Sequence, residues 1–188
     1  MEINAMHALL KSHISASRYQ HTLGVIECAK ELALVFGADA AKAEIAALLH
    51  DCAKCIEKEK MIALSLEEGF APDDFERASE PILHAPAGAA LARRLYGIQD
   101  EEILNAIRSH TIGCIHPTKL DAIIFVADFI EKTRKPFDGL DDARKLSKTD
   151  LLGAMKLCAS LSGAYVESRG GKMHPITVKM INDTEDLI

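Results

Sequence analysis

The chain contains no tryptophan, and aromatic residues of any kind make up only 5% of its 188 positions. A folded core would therefore have to be aliphatic. With 48% hydrophobic against 27% charged residues there is enough apolar material for one, and the composition is not that of a disordered chain. Long hydrophobic runs are missing as well. The longest, Ala122 to Ile130, is nine residues with Asp128 inside it, far short of the roughly 20 needed to cross a bilayer. Glu2, Lys11, His13 and Arg18 interrupt the first twenty residues, so no secretory h-region is expected there. The expected location is the cytoplasm, with no membrane partner. Basic runs are absent and the net charge is −6, which excludes binding to nucleic acid by counterion release. A phosphate-bearing ligand would need a local positive feature, and bound metal ions could supply one.

Cysteine is sparse and odd in number, at positions 28, 52, 55, 114 and 158. A reducing compartment would keep these as thiols. Cys52 and Cys55 form a single C-x-x-C without a second pair or an adjoining β-α-β pattern, so they are expected to be core or helix-flank thiols rather than a zinc or redox site.

Hydrophobic residues recur at helical spacing throughout, and alternating stretches bounded by turns are lacking. The expected fold is all-α, a single compact multi-helix bundle formed by one domain over residues 1–188. Helices are expected from Ser15 or Ser17 to Phe36 with Gly37 as stop, from Asp39 toward His50, and from Lys58 to Glu68 ending at Gly69. A polar connection with a short helical turn would follow over Ala71 to Ser79. Further helices are expected over Pro86 to Tyr96, from Asp100 to His110, over Thr118 to Thr133, over Thr149 to Ser168 and from Pro175 to the C-terminus. Lys135 to Asp142 reads as a loop. No motif recurs at a period of 20 to 50 residues, which excludes a solenoid.

Certain polar residues fall on otherwise apolar helix faces. His21 leads the row Val25, Cys28, Leu32 and Val35, His50 closes the row Ala43 and Ala47, and His110 follows Ile103 and Ile107. Asp128 stands in the run AIIFVADFI, where an unpaired carboxylate would cost several kcal/mol unless it met a cation or a metal. One inward histidine would be unremarkable. Three of them, with Asp128 and the adjacent Asp51, call for one shared explanation, and a polynuclear metal centre supplies it. Imidazole and carboxylate ligands without thiolates suit iron, manganese or zinc. His84, close to Pro86, has no apolar stripe around it and by pattern alone reads as a loop histidine.

The His50-Asp51 doublet, with His21 upstream and Asp128 downstream, resembles the H…HD…D signature of the HD-domain superfamily of metal-dependent phosphohydrolases. The segments RYQHTLGV (18–25), LLHDCAK (48–54), PILHAPAGA (81–89), RSHTIG (108–113), ADFIEKTR (127–134) and GGKMHPIT (170–177) are similar, in order and over nearly the whole chain, to its YqeK-type subgroup. That subgroup hydrolyses diadenosine tetraphosphate symmetrically at a di-iron centre, and the resemblance implies the same here. By that resemblance His21, His50, Asp51 and Asp128 would hold the first metal, His84 and His110 the second, with Asp51 as bridge. His7, His13 and His116 match no position of the subgroup.

Around such a centre a polyphosphate needs positive charges and hydrogen-bond donors. Lys54 lies three residues after Asp51 and Arg18 three before His21, each close to one helical turn. Lys54 is thus a catalytic candidate beside Asp51, and Arg18, Lys54, Thr111, Arg134, Lys172 and His174 are candidates for substrate contact. The last two lie in a glycine-containing segment before a helix N-terminus, where backbone N–H groups could meet a phosphate. The expected partner is a small nucleotide, and nothing in the sequence indicates a homodimer. Three alternatives stand beside this reading: a hydrolase of a mononucleotide or cyclic dinucleotide, a di-iron oxygenase, and a scaffold that has lost catalysis.

Overall fold

Six of the described helices start where short polar side chains turn back onto free backbone N–H groups. A computed structural model of the chain describes residues 1–182 and runs α1 (Ile3–His13), α2 (Ala16–Phe36), α3 (Ala40–Leu49), α4 (Lys58–Glu67), α5 (Asp74–Ala78), α6 (Glu80–Arg94), α7 (Glu101–Ser109), α8 (Lys119–Ile130), α9 (Leu140–Leu146), α10 (Leu151–Ser168) and α11 (Pro175–Asn182). Ser15, Asp39, Asp100 and Asp150 accept from the first turns of α2, α3, α7 and α10, while Asp73 with Glu76 and Thr118 with Asp121 close reciprocal caps on α5 and α8. No strand occurs among the described residues, and no helix there is long and apolar enough to cross a membrane.

Central α8 is buried over most of its length, from Leu120 through Ala127, and packs against α2, α7 and α10. α3 lies on α2, and α6 lies between α4 and α7. Close approach of these helices follows from alanine: Ala43, Ala46 and Ala47 on α3 and Ala85, Ala87, Ala89, Ala90 and Ala92 on α6 are fully buried. Gly88 lets α6 come within van der Waals contact of the His50 carbonyl, since a Cβ there would lie 3.2 Å from it.

Four local expectations are corrected, and one helix, at the N-terminus, had no expectation. The N-terminal residues form α1, which docks Met6 and Leu10 in the core. The helix expected from Pro86 begins six residues earlier, at Glu80, with Pro81 in its first turn, and Pro86 sits inside it, forgoing the hydrogen bond to the Ile82 carbonyl. α8 stops at Ile130, because Glu131 turns to extended backbone and its own carboxylate accepts from the amide and hydroxyl of Thr133. Part of the segment read as a loop is α9, whose Arg144 donates to the carbonyls of Ile130 and Glu131. Val35, the last member of the row headed by His21, is 59% exposed, as the 3.6-residue period drifts off a strict 7-residue row. The last six residues of the helix expected from Pro175 lie outside the described residues.

Gly113 ties α11 to the body. Its φ of 74° is in the left-handed region, and a Cβ there would overlap the Met180 sulfur. Gly113→Ala is expected to cost about 2 kcal/mol through both effects, lowering Tm by roughly 2–4 °C for each kcal/mol in a chain this size. Thermal unfolding followed by circular dichroism would show it, and an unchanged Tm would contradict the packing argument.

Candidate metal centre

Six helix ends and turns converge on one point. His21 and Arg18 come from the first turns of α2, His50 and Asp51 from the end of α3 and the turn beyond it, and His84 from the first turns of α6. His110 ends α7, and Asp128 lies in the last turn of α8. All six residues expected as metal ligands are brought together. His84, which patterning left as a loop residue, is helical and 2% exposed.

The four imidazoles form a row, with ring centroids 5.4 Å apart for His21 and His50, 5.1 Å for His50 and His110, and 5.0 Å for His84 and His110. Asp51 faces this row with both oxygens. Its Oδ2 lies 3.5 Å from His50 Nε2 and 3.9 Å from His21 Nε2, whereas Oδ1 lies 3.0 Å from His84 Nε2 and 3.8 Å from His110 Nε2. Asp128 Oδ1 is 2.9 Å from His21 Nε2 and 3.8 Å from His50 Nε2. Three overlapping groups have the proximity of a metal site: His21, His50 and Asp51; His50, His110 and Asp128; and Asp51, His84 and His110.

Ring orientation is fixed from outside. Nδ1 of His50 donates to the Ala47 carbonyl and Nδ1 of His110 to the Ile107 carbonyl, each at 2.7 Å, since a carbonyl can only accept. Nδ1 of His21 donates at 3.1 Å to the Glu131 carboxylate. The opposite Nε2 lone pairs consequently point at Asp51 and Asp128. Nε2 of His50 is buried without any hydrogen bond, and Nε2 of His21 meets only the Asp128 carboxylate, an arrangement that suits a cation held between them. The donor set of imidazoles and carboxylates, with no thiolate, fits two transition-metal ions in a dinuclear centre.

Electrostatics support the same arrangement. Burial works against the charge on Asp51, but His50, His110 and His84 outweigh it and hold the carboxyl well below its usual range. Asp128 is likewise lowered, burial being outweighed by His21, His50 and Arg134. Burial pushes His84 down to about 4, leaving its ring neutral and free to ligate at neutral pH. For Glu131, burial is outweighed by Thr133 and His21, and its carboxyl is lowered too.

Three cations close on these carboxylates. Arg18 lies 2.7 Å from Asp51 Oδ2, Arg134 2.8 Å from Asp128 Oδ1, and Lys54 3.6 Å from Asp51 Oδ1 and 3.1 Å from His84 Nε2. A cavity of about 590 Å³ opens over Lys54, His84, His110 and Asp128, with Thr111, Phe129, Phe137, Leu161 and Tyr165 in its mainly apolar wall. A second, of about 660 Å³, lies over Arg18 and His21 with Ser15, Ser17 and Lys135. Arg134 and Phe137 line both.

Lys172 and His174 line neither cavity. Lys172 is exposed, and His174 is buried with its Nε2 2.8 Å from Asp73. His7 pairs with Tyr19, and His116 takes a left-handed turn at φ 59°. Cys52 is buried, where it donates to the Gly88 carbonyl, and Cys55 is exposed, so the two do not share a site. Sequence reasoning passed over Glu131 and Gly24. The available signal was their position inside the two ligand-bearing segments, 127–134 and 18–25.

A family model described as HD domain matches residues 18–133. The chain is 40% identical over 174 residues to a symmetrical bis(5'-nucleosyl)-tetraphosphatase of Halalkalibacterium halodurans, covering 93% of this chain and 92% of that protein. It is 47% identical over 148 residues to the protein of the same description from Bacillus subtilis, covering 79% and 78%. A crystal structure from Clostridium acetobutylicum, described as a predicted HD superfamily hydrolase involved in NAD metabolism, aligns with a TM-score of 0.91 at 36% identity over 97% of this chain and 96% of that one.

Proposed function

We propose, from the premise that this chain belongs to the HD-domain family, that it is a metal-dependent phosphohydrolase cleaving dinucleoside tetraphosphates symmetrically into two nucleoside diphosphates, with diadenosine tetraphosphate as substrate. The carrying observation is Asp51, whose two oxygens face different histidine pairs as a bridging carboxylate must. His21, His50, Asp51 and Asp128 would hold one ion, and Asp51, His84 and His110 would hold the other. By the resemblance the ions would be iron, and the imidazole and carboxylate donors would also take manganese or zinc. When bound, such a pair polarises phosphoryl oxygens and activates water for in-line attack. The 188 residues act as one domain, in a cytoplasm that keeps the five cysteines reduced.

The remaining work falls to the chain. Arg18, Lys54 and Arg134 already lie against acidic groups of the centre, and they neutralise the phosphates laid across it. Their clustering matters because the chain as a whole is acidic. The aromatic wall of the larger apolar surface takes a base, and the polar cavity beyond Arg134 receives the other end of the substrate. Thr111 offers a buried hydroxyl with no partner at the edge of the first cavity.

Product analysis under defined metal loading tests this reading against NAD and mononucleotides, which should be poor substrates. Lys54→Ala is expected to keep both ions and to lose on the order of 10²–10³ in kcat/KM, the amount typical of one transition-state charge contact. Wild-type kinetics in that variant would return Lys54 to a surface role.

A further inference from the structure

Gly24, Glu131 and Thr133 lie within the two ligand-bearing segments, yet neither the ions nor the phosphates use them. Of the four histidines, His50 and His110 end their helices, and each steadies its ring on the carbonyl three residues back. His21 cannot do so. It lies inside α2, where the corresponding carbonyl, that of Arg18, already accepts from the Thr22 hydroxyl at 3.1 Å as well as serving the helix. Support has to come from another element, and Glu131 provides it across the gap between the end of α8 and α2.

We propose that Glu131 is a positioning residue, its carboxylate locking the His21 ring with the proton on Nδ1 and thereby offering Nε2 to the metal. The assignment rests on the reading of His21 as a ligand. Glu131 is 2% exposed and held on every side. Its Oε1 takes His21 Nδ1 at 3.1 Å and the Thr133 hydroxyl at 2.7 Å, and its Oε2 takes the Thr133 amide at 2.5 Å. Gly24, one turn beyond His21, leaves the space that Oε2 occupies, since a Cβ there would lie 2.5 Å from it. A carboxylate behind a ligating imidazole fixes the tautomer and raises the basicity of the opposite nitrogen, and losing one weakens metal affinity by about 10- to 100-fold. A purely structural role is already filled otherwise: the backbone of this turn is anchored by Arg144 on the carbonyls of Ile130 and Glu131 and by the Arg134 amide on Glu131.

The test is calorimetric titration of the metal-free protein with Zn²⁺, with histidine ¹⁵N NMR of the free and zinc-loaded states. In the zinc-loaded wild type, His21 should carry its proton on Nδ1 and bind zinc through Nε2. Glu131→Gln should weaken one of two binding events by about 10- to 100-fold and leave the other unchanged. Gly24→Ala should shift the same event while keeping the carboxylate. Unchanged zinc affinities in both variants would overturn the proposal. Should Glu131→Gln lose helicity, Thr133→Val decides, because it removes a single donor at an exposed position: a weakened His21 event supports the role and an unchanged one refutes it. If His21 in the wild type fails to bind zinc, the ligand reading itself fails, and that result is distinguishable because no variant is needed to see it.

Discussion

Asp51→Ala is expected to lose both metal ions and, with them, at least roughly 10³-fold in kcat/KM, a modest part of the 10⁶-fold or greater acceleration that enzymes supply. The expectation follows from the two-sided placement of this one carboxylate. Oδ2 serves the pair His21 and His50 and Oδ1 the pair His84 and His110, so removing it withdraws an anionic ligand from both halves at once. The fold should survive. Its core is an aliphatic cluster independent of the centre, and Arg18, whose side chain is 34% exposed, can turn to solvent when its partner is gone. Asp51→Asn sharpens the test, because the amide keeps the shape but can present an oxygen to only one half and should retain at most one ion. Elemental analysis beside rate measurement reads both quantities. Two ions per chain in Asp51→Ala, or a rate near wild type, would remove Asp51 from the bridging role.

How far the centre could be read from sequence depended on what each ligand has behind it. His50 and His110 close helical apolar rows, and Asp128 interrupts one, so patterning found them; the two histidines are buried and Asp128 half-buried because the stripes they belong to are the core faces of α3, α7 and α8. His84 could be placed only by resemblance. Pro86 reads as a helix start, whereas Pro81 is the true first-turn proline and Pro86 is tolerated inside because alanines on both sides pack α6 tightly against its neighbours. Glu131 looked like one more charge in a polar segment. Its burial depends on a turn of backbone after Ile130 and on a glycine over a hundred residues away, a juxtaposition that no local period encodes. α9 was hidden likewise, since Pro136 and Gly139 punctuate the chain as a loop would, and only the docking of Leu140 and Ala143 makes the following turn helical.

The bond broken in the substrate should follow from where the centre lies between its two cavities. Asp51 and the histidine row stand between the apolar cavity over His84 and His110 and the polar one over Arg18 and His21, with Arg134 bordering both. A tetraphosphate with a nucleoside at each end, laid across that span, puts an inner phosphorus in front of Asp51, and rigid helix ends allow only one such placement. Diadenosine tetraphosphate is therefore expected to give ADP as the sole nucleotide product. In H₂¹⁸O each cleavage should place one solvent oxygen on the terminal phosphate of one ADP and none on its partner. Attack at an outer phosphorus would instead yield AMP with ATP, one of them carrying the label. Chromatography with mass spectrometry separates the two outcomes without any kinetic model. A mixture containing AMP and ATP would mean that the phosphate chain slides along the centre, and Arg18, Lys54 and Arg134 would then be a general anion surface rather than a fixed cradle. Release of inorganic triphosphate from a deoxynucleoside triphosphate at higher efficiency would reject the dinucleotide outright, while leaving a two-metal phosphohydrolase built on Asp51.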